Sequence, residues 1–167
     1  MPAFKQVFGV EAALTSGVDL LRGLGRMMGL DILDIPGVTD GLDNDFKGQV
    51  SGALKSLDDH DLVVIHIEAP DEAAHAGSID DKIGAIEMVD GEVLSCLRSR
   101  QGDGLRLLVL PDHPTPIKTQ THSPDPVPFL LWGEGFKPNG AKKFTEAEAK
   151  RTGLFIEEGY NIIKRLI

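Results

Sequence analysis

The chain lacks most of the features that place a sequence quickly, and each absence narrows the field. A single cysteine, Cys96, excludes an internal disulfide, so a reducing, cytoplasmic setting is the expectation. No apolar run approaches the roughly 18 residues a membrane span requires. The opening residues carry no basic stretch followed by an apolar one, so no secretory leader is read there. Basic residues number 17 against 26 acidic, a formal charge of −9, and they are scattered rather than massed. A nucleic-acid backbone is therefore a poor partner. A phosphate ester would be repelled at long range unless local cations held it. There is also no internal repeat, no low-complexity tract and no linker rich enough to divide two domains.

What remains reads as one globular domain over 1–167. The chain is 41% hydrophobic and 26% charged, ordinary values for a folded chain. Apolar runs at Ala12–Thr15, Ile32–Ile35, Leu62–Ala69, Leu105–Leu110 and Val127–Trp132 predict strands. The runs at 62–69 and 105–110 are near-continuous Val, Ile and Leu, the pattern of strands covered on both faces in parallel sheets. Helical spacing predicts helices over Val18–Met28, Phe46–Leu57 and about Asp80–Arg100, the last with Ile83, Ile86, Val89, Val93 and Leu97 on one stripe. A closing helix over Glu146–Ile167 contains Gly153 and Gly159 as breakpoints. Strands alternate with helices, which predicts an α/β fold with a mostly parallel sheet flanked by helices.

Chemistry concentrates after the two strong strands. Asp71 and His75 follow the first, and a spacing of four puts carboxylate and imidazole on one face of a helical turn. Asp112 and His113 follow the second, at the strand end where open parallel sheets place ligands. Pro111, Pro114 and Pro116 stiffen their surroundings. His122 precedes the fifth apolar run. If the two strong strands are parallel neighbours, two carboxylates and three imidazoles gather at one sheet edge. Such a donor set suits Mn²⁺ or Zn²⁺, and the absence of a nearby cysteine argues against a structural zinc knuckle. Plainer readings fit the other candidates. His66 reads as a packed, hydrogen-bonded strand histidine and His60 as exposed. The acidic loop from Asp40 to Asp45 reads as a solvated turn, since its spacing does not match an EF-hand.

These motifs, in this order, resemble those of a known family. Pro70-Asp71 with His75 and Gly77, then Leu110-Pro111-Asp112-His113-Pro114-Thr115-Pro116, then Thr121-His122 with Pro126-Val127-Pro128-Phe129, are similar to the archaeal-type cofactor-independent phosphoglycerate mutases of the alkaline phosphatase superfamily. Pro2-Ala3-Phe4-Lys5, Val18-Asp19-Leu20-Leu21-Arg22-Gly23-Leu24-Gly25 and Ile35-Pro36-Gly37-Val38-Thr39 add to the likeness, which runs from about Phe4 to Ile167. The resemblance implies two divalent ions, manganese or zinc, with magnesium and cobalt as further candidates. Asp71, His75 and His122 would hold one, and Asp112 with His113 would contribute to the second. It also implies a small phosphorylated substrate, phosphoglycerate, and an isomerase of glycolysis working through a phosphoserine. The family's nucleophilic serine and a further aspartate come from an amino-terminal segment with no counterpart in these residues, and the inserted domain has none either. Ser123, beside His122, has no family counterpart in the nucleophile's role. The expectation is a truncated, carboxyl-terminal portion of an alkaline-phosphatase-like core, inactive as a mutase when alone.

Two other classes stay open on the sequence. One is a metal-dependent phosphomonoester or phosphonate hydrolase, or another small-metabolite phosphotransferase with a homoserine-kinase-like role. The other is a non-catalytic α/β module that binds a partner. A partial domain would expose sheet edge, so self-association is expected too.

Overall fold

Ala12, Ala13, Leu14 and Thr15 form β1 (Ala12–Thr15), and all four are buried. A computed structural model describes residues 1–100 and 102–167, and the chain divides into two compact units, Met1–Ser99 and Arg100–Ile167. In the first unit β1 is the middle of a three-stranded sheet between β2 (Asp31–Ile32) and β3 (Leu62–Ile65). Both pairings are parallel, with Ala13 opposite Asp31 on one side and Val63 on the other. Parallel neighbours need crossovers, and helices supply them. α2 (Asp19–Met27) links β1 to β2 and packs on both, while α3 (Phe46–Ser56) leads into β3 and packs on β1 and β3.

Local sequence explains each helix. In α3, Phe46, Gln49, Val50 and Ala53 are buried at i, i+3, i+4 and i+7, one face of a 3.6-residue helix. Burying Phe46 and Val50 contributes roughly 1.5–3 kcal/mol each. Asp45 caps it, its Oδ1 accepting the Gly48 N–H at 2.9 Å. In α2 the inward position is Gly25, because a Cβ there would lie 2.8 Å from both Leu14 Cδ2 and Ile32 Cδ1. Leu20 and Met27, at 71% and 65% exposure, turn away from the sheet, although their spacing suits the apolar stripe.

After β3 come α4 (Ala69–His75), α5 (Ile79–Met88), a π-helical stretch Val89–Leu94 and α6 (Ser95–Arg98). Ser78 caps α5 by accepting the Asp81 N–H. The stripe predicted along this segment holds only in its second half: Val93 and Leu97 are buried, but Ile83 and Ile86 are exposed and Ala85 takes the inner place. The wider π turn accommodates an extra residue, which rotates the face by about a third of a turn between the two halves. A short helix unread in the sequence, α1 (Phe4–Phe8), buries Phe4 and stops at Gly9, whose φ of 78° is open to glycine at no steric cost.

In the second unit β4 (Arg106–Val109) pairs antiparallel with β5 (Leu130–Gly133), Arg106 opposite Gly133 and Val109 opposite Leu130. Among the described residues the two strong apolar runs thus lie in different sheets, so the parallel pairing supposed for them is not met. α7 (Glu146–Thr152), capped by Thr145, ends at Gly153 with φ 70°, and a 3-10 helix follows at Gly159–Arg165. The predicted closing helix is therefore two pieces, broken where its glycines stand. Among the described residues, no helix is long and apolar enough to cross a membrane.

Candidate metal centre

The first unit carries its chemistry at the carboxyl edge of the parallel sheet, the edge where such sheets present ligand-binding residues. β3 stops at Ile65, short of the predicted run: the His66 N–H still donates to the Thr15 carbonyl of β1, and the chain then turns through Ile67 and Glu68 into α4. Pro70 lies in the first turn of that helix, where its missing N–H costs nothing. Asp71 follows in the first turn and His75 in the last, so the two side chains meet on one face. Asp71 Oδ2 lies 3.1 Å from His75 Nε2. One carboxylate oxygen each of Glu68, Asp71 and Glu72 also lie within 4.8 Å of one another. Neither glutamate was singled out in the sequence, although Glu68 stands three residues before Asp71 on the same turn.

A buried polar lattice backs this edge. Gln49, fully buried, donates from Nε2 to the His66 carbonyl at 2.9 Å and accepts from Asn44 Nδ2 at 2.9 Å. Asn44 in turn accepts the Thr39 N–H at 3.0 Å. His66 is indeed hydrogen-bonded, but just beyond the strand: Nδ1 is 3.0 Å from Ser16 Oγ and Nε2 is 3.1 Å from Glu68 Oε2. The acidic loop exposes Asp40, Asp43 and Asp45, as a solvated turn does, and is anchored by its one buried residue. Asn44 is buried, Asp45 caps α3, and Asp43 accepts the Thr39 hydroxyl at 2.8 Å.

At the opposite end of the sheet, His60 is also more enclosed than expected. Its Nε2 lies 3.0 Å from Asp31 Oδ2 and its Nδ1 2.9 Å from the Ser56 carbonyl. The hydrogen bond to Asp31, then that to Ser56, hold its pKa above the ordinary imidazole value.

The second unit groups the other three predicted ligands. Asp112 and His113 follow β4, with His113 Nε2 3.3 Å from Asp112 Oδ2 and Nδ1 3.3 Å from the hydroxyl of buried Thr115. The loop folds back through the Ser123 N–H, which donates to the Pro114 carbonyl at 3.0 Å, and His122 stacks on His113. Ser123 itself donates its hydroxyl to Asp125 at 2.7 Å, a turn contact. Each unit therefore presents a carboxylate with imidazole at its side. These hard-oxygen and borderline-nitrogen donors fit a divalent transition ion or zinc.

The comparisons with known proteins agree with that chemistry. A model of the metalloenzyme superfamily matches residues 1–160. The 2,3-bisphosphoglycerate-independent phosphoglycerate mutase of Methanothrix thermoacetophila is 45% identical over the whole chain. The chain spans 43% of that relative's length. A solved structure from Pyrococcus horikoshii matches 99% of the chain with a TM-score of 0.93 at 29% identity, the match covering 50% of that protein. The cofactor-independent phosphoglycerate mutase of Thermoplasma acidophilum matches the same share with a TM-score of 0.77 at 26% identity, over 38% of its own chain. With an α/β core, a parallel sheet and ligand-type residues after its strands, the chain belongs to the metalloenzyme superfamily.

Proposed function

We propose that this chain is the metal-binding, carboxyl-terminal portion of a cofactor-independent phosphoglycerate mutase, its two units forming one domain. What carries the reading is the Asp71–His75 pair on the first helix after β3, in a chain 45% identical throughout to a protein named as such a mutase. Asp71, His75 and His122 would hold one divalent ion, manganese or zinc, and Asp112 with His113 would contribute to a second. When bound, paired cations lower the pKa of an attacking hydroxyl and neutralise phosphoryl oxygens. The chain's own residues do the positioning. The α4 turn brings Asp71 and His75 together, and Thr115 orients His113 through Nδ1. Cations would also admit a phosphorylated acid to a chain whose formal charge is −9. No serine in these residues matches the family's nucleophile, so mutase turnover is expected only when that segment is supplied.

The test joins this chain to the part of the Methanothrix thermoacetophila relative that it does not cover. The chimera should interconvert 3- and 2-phosphoglycerate in the presence of Mn²⁺, and His75→Ala should abolish turnover and lower bound metal. An active chimera indifferent to His75→Ala, or release of inorganic phosphate in place of isomer exchange, would contradict the proposal.

A further inference from the structure

Glu68 stands close enough to Asp71 to compete with it for a cation, yet its side chain is tied elsewhere. Its carboxylate meets His66 Nε2 at 3.1 Å. Its carbonyl, at the amino end of α4, accepts the N–H groups of Asp71 at 2.8 Å and Glu72 at 3.2 Å. The same residue thus touches His66 through its side chain and starts the helix that carries Asp71 and His75 through its backbone. α4 has no side-chain cap, so this carbonyl is what fixes its first turn.

His66 is itself immobilised from three directions. Its N–H donates to the Thr15 carbonyl at 2.9 Å, its carbonyl accepts from the buried Gln49 amide, and Nδ1 meets Ser16 Oγ. Ser16 Oγ accepts the Val18 N–H at 3.0 Å and can still donate its own hydrogen. The ionised Glu68 carboxylate can only accept, so Nε2–H is the donor to it and the Nδ1 of a neutral imidazole accepts from the Ser16 hydroxyl. Of the three carboxylates grouped on this turn, that of Glu68 meets His66 Nε2 while that of Asp71 meets His75 Nε2.

We infer that His66 is a positioning residue that holds Glu68, and with it the first turn of α4, so that Asp71 and His75 present one cation site while Glu68 is not a ligand. The inference rests on the reading of Asp71 and His75 as ligands. Partners of this kind, when removed, typically cost about 10–100-fold in metal affinity.

The test titrates the 167-residue chain with Mn²⁺, and with Co²⁺ read by its visible absorption, alongside urea midpoints. Glu68→Ala and His66→Ala should each weaken Mn²⁺ affinity about tenfold or more. The double variant should be little worse than either single, since the two act as one unit. Glu68→Gln, which keeps an oxygen to accept from His66, should stay within about threefold of the wild type and keep its Co²⁺ spectrum. Should His66→Ala fail to fold, the contrast between Glu68→Ala and Glu68→Gln decides. Equal losses in those two would make Glu68 a ligand and overturn the inference. So would an unchanged affinity in a folded His66→Ala while His75→Ala abolishes binding. Binding that survives His75→Ala would instead overturn the ligand reading beneath it.

Discussion

The imidazole of His113 lies on that of His122, ring centroids 3.6 Å apart and planes inclined by 27°. Stacking and metal binding make separate demands on His122, and two substitutions separate them. His122→Phe keeps a ring over His113 and removes both nitrogens; His122→Ala removes both features. Both variants should lose metal affinity. Only His122→Ala should also lose stability, by about 0.5–1.5 kcal/mol, the ordinary worth of an aromatic pair. Calorimetric metal titration and thermal melts read the two effects independently.

The His60–Asp31 pair predicts a pH dependence at the amino end of the sheet. Its raised pKa means that folding favours the protonated imidazole, so the pair's stabilisation is complete below the unfolded value of about 6.5. It is lost as pH rises through the higher folded value. Asp59 also favours the charged form. Urea midpoints measured from pH 6 to 9 should fall more for the wild type than for Asp31→Asn. Equal slopes would mean that the pair contributes nothing.

Two glycines of α2 predict opposite outcomes for one substitution. Gly25→Ala drives a methyl against Leu14 and Ile32 and should cost about 1–3 kcal/mol. Gly23→Ala meets nothing within 4 Å and should stabilise by about 0.5–1 kcal/mol through helix propensity. Chemical denaturation checks both.

Gln49→Ala removes one amide that serves three partners, the His66 carbonyl, Asn44 Nδ2 and the Thr15 hydroxyl. It leaves the His66 carbonyl and Asn44 Nδ2 without their Gln49 partner in a buried setting, and should destabilise the first unit by about 2–4 kcal/mol. Hydrogen exchange at Thr39, whose N–H depends on Asn44, should accelerate with it.

The contrast between β3 and β4 shows what the sequence carried and what it did not. Both runs, 62–69 and 105–110, advertise burial. Pairing partners lie outside any local pattern, and one strand is parallel to β1 while the other is antiparallel to β5. Ala12–Thr15, a run of only four residues, matches its observed bounds and sits in the centre. Short α4 was legible only as one turn, because seven residues with a proline near the start give little periodicity. Asp71 and His75 were legible because four-residue spacing is itself a geometric statement. The partners of His66 were not, since Ser16 and Gln49 lie 50 and 17 residues away and reach it only through the folded sheet.

Anomalous scattering at the manganese absorption edge, from crystals of the 167-residue chain grown with Mn²⁺, addresses the central claim most directly. The account predicts a strong peak ligated by Asp71, His75 and His122. No peak beside these side chains, with ordered manganese bound only by other residues, would contradict it.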